Sequence, residues 1–218
     1  MNRKSLPDGI YGLTAEIYSH GRKNTDVVRA MIAGGVSIVQ YREKENKTPR
    51  EKLAECNEIR RMTRDAGVMF IVNDDIEIAI LCGADGIHVG QDDLSVADVR
   101  KLAGDAMIVG LSTHTPEQAQ DALKTGADYI GVGPLFETHT KVNVIAPVGL
   151  SYLEYVEANI DLPYVAIGGI KLHNIGEVLS RGARTVALVT EIVGADDIEG
   201  MTRRIASKFE QAGIPLRR

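Results

Sequence analysis

The sequence has 218 residues, 44% apolar, 25% charged and 5% aromatic. These proportions suit a single soluble domain with a sizeable core and exclude a disordered chain, a collagen-like repeat or a disulfide-dense secreted module. Lys and Arg number 25 against 30 Asp and Glu, a net charge of −5; a nucleic-acid binder relying on bulk charge shows the opposite balance, so any anionic ligand must be held by a local group of donors.

The opening Met1-Asn2-Arg3-Lys4-Ser5-Leu6-Pro7 lacks a signal-peptide core, and no apolar run approaches the ~20 residues of a membrane span. A cytoplasmic protein without membrane or nucleic-acid partners is expected. A strand is predicted at 10–14, then a helix at 25–33 with Val27, Val28, Met31 and Ile32 as its apolar stripe. After Gly34-Gly35, a second strand at 37–41 runs into Gln40-Tyr41-Arg42-Glu43-Lys44. Alternation puts Gln40, Arg42 and Lys44 on one side and Tyr41 and Glu43 on the other. An amide and two cations suit a phosphate ester, although for these five residues alone a solvated strand end is the plainer reading.

A helix at 48–64 starts with Pro49 just inside it and packs through Leu53, Cys56, Ile59 and Met62. A third strand, 69–72, ends in Asn73-Asp74-Asp75, and a fourth, 86–89, ends in His88-Val89-Gly90-Gln91-Asp92-Asp93. Each acidic group alone reads as a helix cap, but on adjacent strands the two together favour a magnesium mount completed by substrate phosphate. His88 reads as a packed or hydrogen-bonded histidine rather than a general base. Cys56 and Cys82 fall in helical segments without metal-ligand spacing and read as buried free thiols.

A helix at 95–102 leads to strand 108–111 and Gly110-Leu111-Ser112-Thr113-His114. No Asp–His pair is apparent to make Ser112 a nucleophile, which leaves it a ligand hydrogen bond or a cap; Thr115 competes for the cap of the helix at 115–124. Strand 129–132 opens a long loop carrying Thr138, Thr140 and Lys141, either a substrate lid or a surface loop. Beyond a helix near 150–158, strand 164–167 ends in Ile167-Gly168-Gly169-Ile170; after a helix near 172–180, strand 185–189 ends in Val189-Thr190. Paired glycines in those last two loops suit a phosphate site. A helix at 197–211 closes the alternation.

Eight short apolar strands alternating with helices predict a single (β/α)8 TIM barrel domain over residues 1–218. Gly83-Ala84-Asp85, Gly126-Ala127-Asp128 and Gly182-Ala183-Arg184 each join a helix to a strand, with the glycine as a left-handed cap. An open doubly wound sheet would want Gly-x-Gly-x-x-Gly leading into a helix, and Gly131-Val132-Gly133 leads into Pro134 and a loop instead.

Taken in order, Gln40-x-Arg42-x-Lys44, Asn73-Asp74, His88 to Asp93, Gly110-x-Ser112-Thr113, Gly133-Pro134-x-Phe136-x-Thr138-x-Thr140-Lys141 and Ile167 to Ile170 resemble the thiamine-phosphate synthase family over nearly the whole chain. The resemblance implies an enzyme that joins 4-amino-5-hydroxymethyl-2-methylpyrimidine diphosphate to 4-methyl-5-(2-phosphoethyl)thiazole and releases diphosphate. It implies that Gln40, Arg42, Lys44, Asn73, Ser112 and Lys141 hold the pyrimidine diphosphate, with Arg42, Lys44, Ser112 and Lys141 as the catalytic set. It also implies that Asp74 and Asp93 bind Mg2+. Thr138, Thr140 and the backbone of Gly169, Val189 and Thr190 are implied to hold the thiazole phosphate. The chain departs from the family pattern at Leu13-Thr14-Ala15-Glu16, where Ile-Thr-Asp is usual, and at Asp75 for Arg, Glu137 for Pro and Thr190 for Ser. A thiazole tautomerase-like paralogue and a non-catalytic phosphate sensor on the same barrel are the rivals; each is expected to lack elements kept here. The oligomeric state is left open, a homo-oligomer included.

Overall fold

A computed structural model describes residues 5–43, 47–138 and 146–216. Every apolar run forms a strand: β1 (Gly9–Leu13), β2 (Ile38–Tyr41), β3 (Met69–Asn73), β4 (Gly86–Val89), β5 (Ile108–Thr113), β6 (Tyr129–Val132), β7 (Tyr164–Ala166) and β8 (Thr185–Leu188). All pair in parallel in chain order, and β8 returns to β1 to close a (β/α)8 barrel. The register sets Leu13 beside Gln40, Gln40 beside Ile71, Asn73 beside His88 and Ser112 beside Gly131. The polar strand ends therefore share one rim.

The helices are α1 (Asn24–Ala33), α2 (Pro49–Asp65), α3 (Ile76–Cys82), α4 (Val96–Ala103), α5 (Pro116–Ala122), α6 (Gly149–Asn159), α7 (Ile175–Leu179), α8 (Thr190–Val193) and α9 (Ile198–Gln211). Thr48, Ser95, Thr115 and Asp197 cap α2, α4, α5 and α9 through their side-chain oxygens, and Thr48 with Glu51 forms a complete capping box. Two helices depart from expectation. α7 begins at Ile175 rather than 172, because the Asn174 side chain accepts from the Lys171 amide at 2.7 Å and shapes a turn there. α8 is the second: Thr-Glu-Ile-Val straight after a strand has the β-branched content of more strand, yet it forms a helix.

Alternation along the strands makes two cores. Tyr11, Leu13, Ile38, Met69, Ile71, Ile108, Tyr129, Val165 and Ala187 fill the barrel, while Val39, Phe70, Val72, Ile87, Val109 and Ile130 face the helices. Cys56 and Cys82 are buried free thiols where α2 packs on α3.

The Gly-Ala-Asp turns occupy the N-terminal rim. Gly83 adopts the left-handed conformation (φ 66°) at the end of α3, as a cap glycine should. Asp85 accepts from Arg60 of α2 at 2.8 and 3.1 Å and from the Phe70 amide of β3 at 2.9 Å. Asp128 repeats the pattern with Arg100 of α4 and the Val109 amide. In the third turn Arg184 reverses the charge and pairs with Asp8 at 2.8 Å. Each turn thus ties a strand start to a neighbouring segment by an ion pair, at the end of the barrel that stabilises rather than reacts.

Candidate active site

The C-terminal strand ends surround a cavity of about 380 Å³. Gln40 and Arg42 from β2, Asn73 from β3 and Ser112 from β5 line it. Thr138, Gly169, Val189 and Thr190 line it from the loops after β6, β7 and β8. In a closed barrel of this order, β3 and β4 lie across from β7 and β8. Asn73 after β3 therefore stands across the cavity from Gly169 after β7. Lys44, Thr140 and Lys141 lie outside the described residues.

Strand alternation produces the first wall. Gln40 and Arg42 point into the cavity, while Tyr41 points outward and donates to Glu55 of α2 at 2.7 Å. Glu43 accepts from Asn24 of α1 at 2.8 Å. The Arg42 amide donates to the Thr14 hydroxyl at 2.9 Å, which fixes the backbone where the cationic loop leaves β2. Glu16 pairs with Lys47 just beyond that loop, and Lys47 also pairs with Glu55.

Beneath the cavity five side chains from five strands form one hydrogen-bonded chain. Gln40 Nε2 donates to the Tyr11 hydroxyl at 2.7 Å. The Tyr11 and Tyr129 hydroxyls are 3.0 Å apart, and the Tyr129 hydroxyl lies 3.0 Å from His88 Nδ1. His88 Nε2 is 2.9 Å from Ser112 Oγ. Gly110 makes the space: a Cβ there would stand 2.1 Å from Tyr129 Cζ and 2.5 Å from His88 Nδ1. The chain joins two candidate substrate residues, Gln40 and Ser112, and fixes the rotamer of each. The His88–Ser112 contact is what the sequence could not show, since the partners sit 24 residues apart on neighbouring strands.

Burial holds the Tyr11 and Tyr129 phenols protonated well above their ordinary value of 10. In the unfolded chain both ionise near 10. Their contribution is therefore complete below about pH 10 and is lost as pH rises, by about 1.4 kcal/mol per pH unit for each buried phenol. Urea midpoints taken across roughly pH 9.5 to 11 should fall less steeply for Tyr129→Phe than for the parent; equal slopes would remove Tyr129 from this account.

The caps decide one question left open by the sequence. Asp75 occupies the N-cap of α3 without a side-chain capping bond and instead pairs with Lys52 at 2.8 Å. Ser95, not Asp92 or Asp93, caps α4. The capping reading is thus corrected for both acidic groups, since neither helix that follows them is capped by an aspartate side chain. Asp74 has a left-handed backbone (φ 60°), uncommon outside glycine, and its amide donates to the His88 carbonyl at 3.0 Å. The Asp93 carboxylate accepts from the Gly90 amide at 2.7 Å. Both acids stand on adjacent loops at the cavity end, although neither is among the residues that line it. Among the described residues no three His, Cys, Asp or Glu side chains form a metal-holding group. Carboxylate oxygens are the hard donors that Mg2+ takes, and the ion keeps open positions for phosphate oxygens, so the donor chemistry of Asp74 and Asp93 fits it.

On the far wall, Gly168 (φ 96°) and Gly169 (φ 65°) let the loop after β7 lie directly against the loop after β6. A Cβ on Gly168 would meet Pro134 Cα at 2.3 Å, and one on Gly169 the Glu137 carbonyl oxygen at 2.4 Å. Tyr11, Tyr18, His114, Tyr129 and Lys171 also line the cavity and were not singled out from sequence. Alternation in β1 and β6 could have flagged the tyrosines Tyr11 and Tyr129; Lys171 could have been flagged only by its place beside the paired glycines.

Residues 10–192 match the family model described as thiamine monophosphate synthase. The chain belongs to that family. A thiamine-phosphate synthase of Pelotomaculum thermopropionicum is 61% identical over 200 residues, covering 92% of this chain and 91% of that protein. One of Caldicellulosiruptor bescii is 50% identical over 201 residues, covering 92% and 90%. The solved thiamine phosphate pyrophosphorylase of Pyrococcus furiosus superposes with a TM-score of 0.86 at 30% identity, covering 93% of this chain and 96% of that one. A Mycobacterium tuberculosis tryptophan synthase chain, at 12% identity and a TM-score of 0.68, shares the barrel alone. The thiamine monophosphate synthase family is thus matched along nearly the whole barrel, loops after β2 to β8 included.

Proposed function

We propose that the chain is a thiamine-phosphate synthase, a transferase working as one barrel domain in the cytoplasm. It joins 4-amino-5-hydroxymethyl-2-methylpyrimidine diphosphate to 4-methyl-5-(2-phosphoethyl)thiazole. The observation that carries this is the 61% identity to a protein of that name over 92% of the chain. The single cavity with diphosphate-type donors on one wall and phosphate-type glycine loops on the other agrees with it.

In the proposed reaction, the bond from the pyrimidine methylene carbon to the diphosphate oxygen breaks with its electron pair on oxygen. The thiazole nitrogen then gives its lone pair to that carbon, so no protein nucleophile is needed. Arg42, with Lys44 and Lys141, binds the departing diphosphate and stabilises the charge that grows on it. Gln40, Asn73 and Ser112 orient the pyrimidine end, with Gln40 and Ser112 held by the chain of hydrogen bonds beneath. Thr138, Thr140 and the backbone at Gly169, Val189 and Thr190 anchor the thiazole phosphate and bring its nitrogen within reach. Asp74 and Asp93 would hold Mg2+, which supplies neutralisation of diphosphate charge.

Incubating the protein with both substrates and Mg2+ should yield thiamine phosphate and diphosphate in equal amounts, read by chromatography and phosphorus NMR. Folded protein that binds the thiazole phosphate yet makes no product would discard this reading in favour of a sensor. Conversion of a thiazole tautomer in the absence of pyrimidine would favour the tautomerase-like paralogue.

A further inference from the structure

Two cationic side chains, Arg42 and Lys171, line the cavity among the described residues, and they stand on different loops, after β2 and after β7. Arg42 belongs to the diphosphate wall. Lys171 follows the paired glycines and reaches the loop after β8: its Nζ donates to Thr190 Oγ1 at 2.9 Å and lies 3.3 Å from Glu191 Oε2. Its position is built in from several directions. The Lys171 amide donates to Asn174 Oδ1 at 2.7 Å, and Asn174 Nδ2 donates to the Gly169 carbonyl at 3.1 Å. Glu191 uses its other oxygen to accept from the Leu172 amide at 2.9 Å. Lys171 is thus locked to the loop that carries Gly169 and to the residue, Thr190, that closes the opposite side of the same corner.

An ammonium group has three donors. Thr190 and Glu191 take two, which leaves one for a ligand in the cavity that Lys171 lines; the other described residues at this end, Thr138, Gly169, Val189 and Thr190, offer only neutral hydroxyls and backbone amides. Glu191 offsets part of the charge, which keeps Lys171 in place without removing that donor.

We infer that Lys171 binds the phosphate of the thiazole substrate and sets the enzyme's preference for the phosphorylated thiazole over its unphosphorylated alcohol. The assignment rests on the reaction proposed above. A charge-assisted hydrogen bond to a phosphate is stronger than a neutral one, so its loss should weaken the phosphorylated substrate selectively.

The test compares the parent with Lys171→Gln and Lys171→Arg. For Lys171→Gln, KM for thiazole phosphate should rise about tenfold or more. KM for the pyrimidine diphosphate should move less than about twofold, and turnover of the unphosphorylated thiazole alcohol should be affected far less than turnover of the phosphate. Lys171→Arg should recover most of the loss by keeping the charge. If Lys171 only braces the loop against Glu191, both KM values shift together or neither does, and the inference falls. Should the parent make no thiamine phosphate, the proposed reaction has failed instead. Inorganic phosphate then serves as the probe: it should raise the parent's Tm more than that of Lys171→Gln, and equal shifts would overturn the assignment.

Discussion

Asp74→Asn should fold like the parent and lose turnover by roughly a hundredfold or more. The backbone at Asp74 is left-handed, with φ at 60°. Asparagine is the side chain closest in shape that tolerates that conformation, so the substitution adds no backbone strain. The hydrogen bond that the backbone N–H of residue 74 donates to the His88 carbonyl also survives. What changes is one carboxylate charge at the rim where the diphosphate is proposed to leave. Kinetics at increasing Mg2+ should show a weaker, higher-concentration response in the variant, while the urea midpoint stays near the parent's. A variant with the parent's kcat/KM and Mg2+ dependence would take Asp74 off the metal and return its backbone conformation to being unexplained.

Asp85→Ala should do the converse, costing about 3 kcal/mol of stability while leaving the chemistry of the surviving folded protein alone. Asp85 is almost fully buried, and removing it strands the Arg60 guanidinium and the Phe70 amide together. Breaking a buried pair costs more than the pair contributes, because the remaining charge stays desolvated. Arg60 keeps some solvent contact, with its side chain 20% exposed, which places the loss toward the lower end for such pairs. The exposed Arg184–Asp8 pair of the third turn is 56% and 40% exposed and should be worth well under half as much. Denaturant midpoints of Asp85→Ala and Arg184→Ala, measured side by side, decide this: equal small losses would mean that the turn aspartates are ordinary surface charges.

These two aspartates occupy opposite ends of the barrel, and the sequence placed both correctly without contact information. Each motif's position relative to its strand was enough, since side chains after a parallel strand's C-terminus meet at one rim and those before its N-terminus at the other. Asp74 follows β3 and Asp85 precedes β4. Helix starts at Thr48, Ser95 and Thr115 were legible for a similarly local reason: an N-cap is decided by residues within one turn. The acidic loops were less legible, because capping and metal binding want the same residue types; the observed partners, Lys52 for Asp75 and the Gly90 amide for Asp93, show that neither side chain caps the helix that follows.

Pairings of residues far apart in the chain had no local signature. Tyr11 and Tyr129 are separated by 118 positions, and their bond exists because β1 and β6 point side chains into the same barrel interior. Lys171 meets Thr190 because the loops after β7 and β8 are adjacent once the sheet closes. What the amino-acid order settles by itself is the period of each segment, its caps and turns, and thereby the barrel and the rim that carries the chemistry, since these depend on neighbours a few residues away. Closure of the eight strands decides the rest: which tyrosine touches which histidine, and which lysine meets Thr190, are fixed by strand register and tilt, and those exist only in three dimensions.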